Sequence, residues 1–190
     1  MRLWTFQFPF VVRRLRRDGV YRPRWSELKS AGPHWMIAYD WMVERLVTRR
    51  LTRHRGPPIW AWRSYGHWNQ APGQGCAESL FGALDRDVMR LEIEVPDPCA
   101  VISDYGAWNN IIDLAFDSHR ERRPLIVPDA LGENLFSVGN ALANAMDEDE
   151  VALQACRPEL QWRNVVAIRR YRIPDLDTMM SASYDPDTLD

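Results

Sequence analysis

From Met89 to Val95 apolar and charged side chains alternate without a break. Met89, Leu91, Ile93 and Val95 fall on one side, and Arg90, Glu92 and Glu94 on the other. A repeat of two is the period of a β-strand, so 87–95 reads as a strand with one charged face. Such a strand belongs to a sheet that is polar on one side, the habit of antiparallel rather than parallel sheets. A second segment has the other period. Between Pro33 and Arg50, Trp35, Ala38, Tyr39, Met42 and Leu46 recur at three- and four-residue steps, which predicts an amphipathic helix. The two together define an α+β chain with a small, mostly antiparallel and possibly split sheet and flanking helices.

The remaining punctuation fits that class. Leu3–Phe8 is aromatic-rich and reads as an opening strand. Pro9 then opens a helix that Gly19 closes, the usual places for these two residues. Further strands are expected at 59–62, 99–102, 151–156 and 164–171. Helices are expected from the stripe Trp108, Ile111, Ile112, Ala115 and over 133–145. The Gly- and Pro-dense stretch 65–78 reads as a loop. At 190 residues the chain suits one domain, placed at 1–173, with 174–190 as an acidic, flexible tail.

Charge is unevenly distributed. Residues 1–70 hold thirteen arginines and Lys29 against four acids, a net of +10, while 71–190 hold ten arginines against 22 acids, a net of −12. Seven of the nine tryptophans lie in the basic part. Arginine grips phosphate with a planar fork, and tryptophan offers a stacking face as well as core volume. Part of the positive charge has a plainer cause in arginines at helix ends. Three scattered cysteines without a CxxC pair support neither zinc nor a redox motif, and suit a reducing cytoplasm. No metal is expected: His34, His54, His67 and His119 lack ligand spacing, and Asp147–Glu150 reads as a solvated turn. No apolar run approaches a membrane span, and the opening ten residues lack the charge order of a signal peptide. Phosphate-loop, dinucleotide-binding and nucleophile-elbow motifs do not occur.

Five motifs in order are Leu3-Trp4-Thr5-x-Gln7, Ala38-Tyr39-Asp40-Trp41-Met42, Pro58-Ile59-Trp60-Ala61-Trp62, Leu91-Glu92-x-Glu94-Val95-Pro96 and Ser103-Asp104 followed by Trp108. This order resembles a bacterial domain family of unknown function. The layout is also similar to the DarT-like branch of the ADP-ribosyltransferases, which modify nucleic acid using NAD. The likeness rests on Leu3-Trp4-Thr5-Phe6-Gln7 with Gly19, on Trp60-Ala61-Trp62-Arg63-Ser64, on Ser103-Asp104-Tyr105-Gly106-Ala107 and on Gln154-Ala155-Cys156. It implies an ADP-ribosyltransferase-like fold that holds NAD or another nucleotide through Thr5, Gln7, Trp60, Trp62, Arg63 and Asp104. Gln154 would then stand on the catalytic strand. Two positions depart from that branch: Thr5 stands where it has a ribose-binding His, and Cys156 where it has the catalytic Glu. Glu159 is the nearest carboxylate. It lies on the opposite strand face unless a turn at Pro158 returns it to a cleft.

Each residue also has a plainer role. Thr5 and Gln7 could be edge polar groups bonded to backbone, Trp60 and Trp62 core, Arg63 a surface charge, and Asp104 a helix cap. Three functions stay open: an NAD- or nucleotide-binding transferase-like protein acting on nucleic acid or protein, a binding module without chemistry, and an interaction protein pairing opposite charges between copies.

Overall fold

The computed structural model describes residues 1–28, 31–66, 70–82, 85–137 and 152–175. Asp147–Glu150, residues 138–145 of the expected helix, and the tail beyond Asp175 lie outside the described residues.

The chain opens with β1 (Arg2–Gln7) and turns at Phe8 into α1 (Pro9–Asp18). Gly19 ends the helix at φ 74°, a left-handed position where a Cβ would be strained. A two-residue β2 (Val20–Tyr21) and a 3-10 turn at Trp25–Glu27 lead to α2 (Pro33–Thr48). Then come β3 (Ile59–Ser64), α3 (Gln74–Phe81), β4 (Arg86–Glu94) and β5 (Val101–Asp104). The chain continues through α4 (Tyr105–Arg120), α5 (Asp129–Leu135), β6 (Leu153–Arg157), β7 (Leu160–Gln161) and β8 (Val165–Ile173).

Six strands form one sheet in the order β5-β6-β3-β1-β4-β8, and β2 pairs with β7 in a small second sheet. Every pairing is antiparallel. The α+β expectation therefore holds, and the alternating segment is β4, second from the edge. α3 corrects the expected loop at 65–78. Its two turns are framed by Gly73 and Gly82, and Cys76 and Ala77 supply its buried face, so the helix is too short to overcome the turn signals around it. α5 starts earlier than expected, after Pro128 with Asp129 in its first turn, and ends at Leu135.

Helices cover both sheet faces. α1 packs Val11, Val12 and Leu15 onto Leu3, Ile59, Ala61, Leu91, Ile93 and Ala155. On the other face, α2 and α4 bury Ala38, Met42, Leu46, Trp108, Ile111 and Ala115 against Val101 and Cys156. α3 covers the rest of that face, with Cys76 and Ala77 against Phe6, Trp62, Val88, Tyr171 and Ile173.

The joint between β1 and β3 places the site. β1 and β4 share six registered residue pairs, whereas β1 and β3 share one, Trp4↔Trp62. Beyond that pair the two strands part, so the sheet opens between the end of β1 and the start of β3. At the apex of the opening, the Thr5 hydroxyl donates to the Trp60 carbonyl at 2.7 Å, and Gln7 Nε2 donates to Thr5 Oγ1 at 2.8 Å. A side chain here replaces a missing ladder bond. Thr5→Val keeps the shape but leaves the Trp60 carbonyl and the Gln7 amide without this partner. It is expected to lower stability by about 1–3 kcal/mol, measured by urea denaturation; an unchanged midpoint would show that the strands hold without this bridge.

Candidate functional site

The opening leads into a cleft of about 530 Å3. That lies within the range of roughly 300–1,000 Å3 common for small-molecule sites. One wall comes from the end of β1 and the start of α1: Phe6, Gln7, Phe8, Phe10 and Val11. The facing wall is Pro58 and the β3 residues Ile59 to Trp62, backed by Tyr39, Trp108 and Gln154. Phe10 and Leu80, 41% and 43% exposed, line the same space as large apolar groups left open to solvent.

Ring packing fixes the walls. Trp60 lies 4.4 Å from Trp108 and 6.0 Å from Tyr39, centroid to centroid. Trp62 meets Tyr65 and Tyr105 edge-on at 4.8 and 5.0 Å. The β-strand period puts Trp60 and Trp62 on one side of β3, and the registered pairs Trp60↔Cys156 and Trp62↔Gln154 set β6 beside them.

Gln154 is the polar anomaly of this wall. It is 6% exposed, and its Oε1 is buried without a hydrogen-bond partner among the described residues. Buried amide groups are normally paired, and leaving one unpaired costs about 1–3 kcal/mol. Trp60 Nε1, also in the lining, makes no bond of ordinary geometry, although it leans on the Tyr39 hydroxyl. Burial, then Cys156, pushes the Tyr39 phenol up, so it stays a neutral hydroxyl at neutral pH. The wall thus offers an open acceptor and an indole N–H to a planar group with both a donor and an acceptor on its rim.

Among the described residues the charged side chain of the lining is Glu27. Its carboxylate accepts from Arg14 at 2.6 Å, from the Tyr21 hydroxyl at 2.7 Å and from the Arg24 N–H at 3.2 Å. Burial works to raise its pKa, but the bonds from Tyr21 and Arg14 outweigh that, and the net shift is downward. A carboxylate depressed in the folded state stabilises the fold above its unfolded pKa, near 4.3, and that contribution is lost as pH falls through the lower folded value. Acid unfolding of the wild type is therefore expected to include a Glu27 step below about pH 4.3 that Glu27→Gln removes. Equal acid limbs for the two proteins would show that the Arg14–Glu27–Tyr21 cluster adds nothing to stability.

The sequence-derived site residues divide. Gln7, Trp60, Trp62 and Gln154 meet at the cleft. Thr5, fully buried, is spent on the Trp60 carbonyl behind it. Arg63 sits where the register of β3 and β6 shifts, and does not line the cleft. Asp104 caps α4, its Oδ1 accepting from the Ala107 N–H at 2.6 Å. Glu159 follows the turn after β6, paired with Arg22 at 2.5 Å and accepting from Gln161 at 2.5 Å, outside the lining. Cys156 is fully buried under α2 and α4, with its thiol pushed well up by burial. The turn at Pro158 does not return a carboxylate to the cleft. Phe6, Phe8, Phe10, Tyr105 and Trp108 join the site although the sequence does not mark them for it, because aromatics at strand and helix spacing read first as core.

Among the described residues no cluster of three His, Cys, Asp or Glu could hold a metal ion. No described helix is long and apolar enough to cross a membrane.

Fold and site together define an α+β protein whose opened antiparallel sheet holds a cleft lined largely by aromatic side chains. Residues 2–123 match the family model described as "Domain of unknown function (DUF3841)", and the chain belongs to that family. The match spans β1 to the end of α4, so Gln154 and β6 lie beyond it. No curated protein and no solved structure matches the chain.

Proposed function

We propose that the cleft binds the planar, uncharged end of a nucleotide, and that the protein is a nucleotide-binding member of its family. NAD is the candidate that the ADP-ribosyltransferase resemblance implies, and its nicotinamide carboxamide is the group that the wall suits. The observation that carries this reading is the buried Gln154 oxygen, without a partner among the described residues, beside Trp60 and Trp62 at the opening of the sheet. An amide N–H of the ligand would satisfy it, and ring stacking on tryptophan contributes about 1–3 kcal/mol in comparable nucleic-acid sites. No arginine lines the cleft among the described residues, so phosphates would face outward rather than into it.

NAD would supply an ADP-ribosyl group at its ribose–nicotinamide bond. Transfer of that group needs a carboxylate near the ribose to stabilise the developing positive charge. At β6 the chain offers the Gln154 carboxamide, which orients a ligand but carries no charge. Glu27 is committed to Arg14 and Tyr21. Binding without transfer is the form of the reading that these residues favour, over an enzyme acting on nucleic acid or protein.

Isothermal titration calorimetry with NAD, nicotinamide and adenosine tests it, alongside transfer from labelled NAD to DNA, RNA and protein. Binding of NAD and nicotinamide without label transfer is the expected result. No heat with any of the three at millimolar concentration would end the nucleotide reading. Label on a macromolecule would replace binding with enzymatic transfer.

A further inference from the structure

A groove of about 290 Å3 lies between α2 and α5 and shares no residue with the cleft. Its size sits just under the roughly 300–1,000 Å3 of most small-molecule sites, which suits a small ligand. One wall carries Arg45 and Arg49 at the end of α2, and the other carries Asp129 and Glu133 of α5. The walls do not neutralise each other. No ion pair joins them among the described residues, and Glu44, beside Arg45 in the chain, is taken by Arg55. Each wall instead stacks like charges four residues apart, a spacing at which they repel on a helix. Glu133 also stands in the last turn of α5, the end that disfavours a negative charge. Rings hold the guanidinia in place. Arg45 lies 4.7 Å from the Trp41 centroid and Arg49 3.8 Å from that of Phe136, and the two rings are parallel within 4°. Burial, then the neighbouring Arg45, pushes the Arg49 pKa down, the mark of a charge without compensation. Val127 and Pro128 add apolar surface.

We propose that this groove binds a free α-amino acid with an apolar side chain, its carboxylate on Arg45 and Arg49 and its ammonium on Asp129 and Glu133. Guanidinium forks match a carboxylate in plane and hold it with two parallel bonds. An ammonium has three donors, enough for both acids. The side chain would rest on Val127 and Pro128. A phosphate or other plain anion would meet the arginines but bring its charge against the two acids. A plain cation would meet the acids and be repelled by the arginines. A ligand with both signs relieves both walls at once. Gly132 keeps the space between them open. A Cβ there would have only Trp41 within contact, at 3.9 Å, so a longer side chain from this position enters the groove.

Calorimetric titration with L-leucine tests it, beside the two halves of that ligand, isocaproate with the carboxylate alone and isoamylamine with the ammonium alone. Leucine is expected to bind at least tenfold more tightly than either half. Arg45→Gln with Arg49→Gln, and separately Asp129→Asn with Glu133→Gln, should each weaken leucine binding at least tenfold. Gly132→Leu should abolish it while folding at least as well as wild type, because it removes a glycine from a helix interior. That variant keeps the test open should a charge pair fail to fold, as judged by circular dichroism. NAD and nicotinamide should titrate the same in all these variants as in wild type, which separates failure here from failure of the cleft reading. No heat from leucine at millimolar concentration would overturn the proposal. So would binding of either half at leucine's own affinity, or leucine affinity left unchanged in the folded variants.

Discussion

Replacing Trp62 with alanine is expected to cost about 3–5 kcal/mol of stability. The side chain is 3% exposed and packs with Phe6, Val88 and Tyr171 under α3. It also meets Tyr65 and Tyr105 edge-on, interactions worth about 0.5–1.5 kcal/mol each beyond buried area. Its strand position carries the one registered pair that joins the two parts of the sheet. Loss of the ring thus opens a cavity where the sheet is least well laced. Urea denaturation of Trp62→Ala and Trp62→Phe measures this, with the phenylalanine variant expected to lose less because it keeps an aromatic ring. A loss under about 1 kcal/mol for alanine, the size of an average substitution, would mean that Trp62 does not hold the joint.

Replacing Gln154 with leucine is expected to act in opposite directions on folding and binding. An apolar side chain of similar size removes the unpaired oxygen from the wall, so stability should stay level or rise. A site kept for a ligand commonly carries such a cost in stability. Affinity for NAD and nicotinamide should fall about tenfold or more, the equivalent of about 1.4 kcal/mol or above for the removal of one hydrogen bond to a buried group. The two measurements are a thermal melt and a calorimetric titration on the same protein. A variant that loses stability and keeps its affinity would make Gln154 a structural residue.

Local chemistry was legible in the sequence wherever neighbours in the chain decide it. Pro9 and Gly19 bracket α1 as expected, the alternation over 87–95 is β4, and Asp104 caps α4. The shared face of Trp60 and Trp62 followed from the strand period and holds. What the sequence left open is which strands lie side by side and where they part. Thr5 illustrates the limit: its face was readable, but its bond to the Trp60 carbonyl depends on a strand some fifty-five residues away. The same long-range pairing turns Gln154 into a cleft residue and leaves Glu159 outside with Arg22. Short helices flanked by glycine, such as α3, were hidden by their own punctuation. Of the α1 arginines, Arg13, Arg16 and Arg17 line a groove of their own while Arg14 holds Glu27, the charged side chain of a cleft otherwise lined by rings, amides and apolar groups among the described residues.

The central claim is that the parting of β1 and β3 forms a site for a planar ring carrying an amide. Indole N–H resonances of the protein, with Trp60 assigned from a Trp60→Phe variant, report on that wall directly. Added nicotinamide is expected to shift the Trp60 indole signal in the wild type and much less in Gln154→Leu. A Trp60 signal that stays put at saturating nicotinamide and NAD would contradict the account.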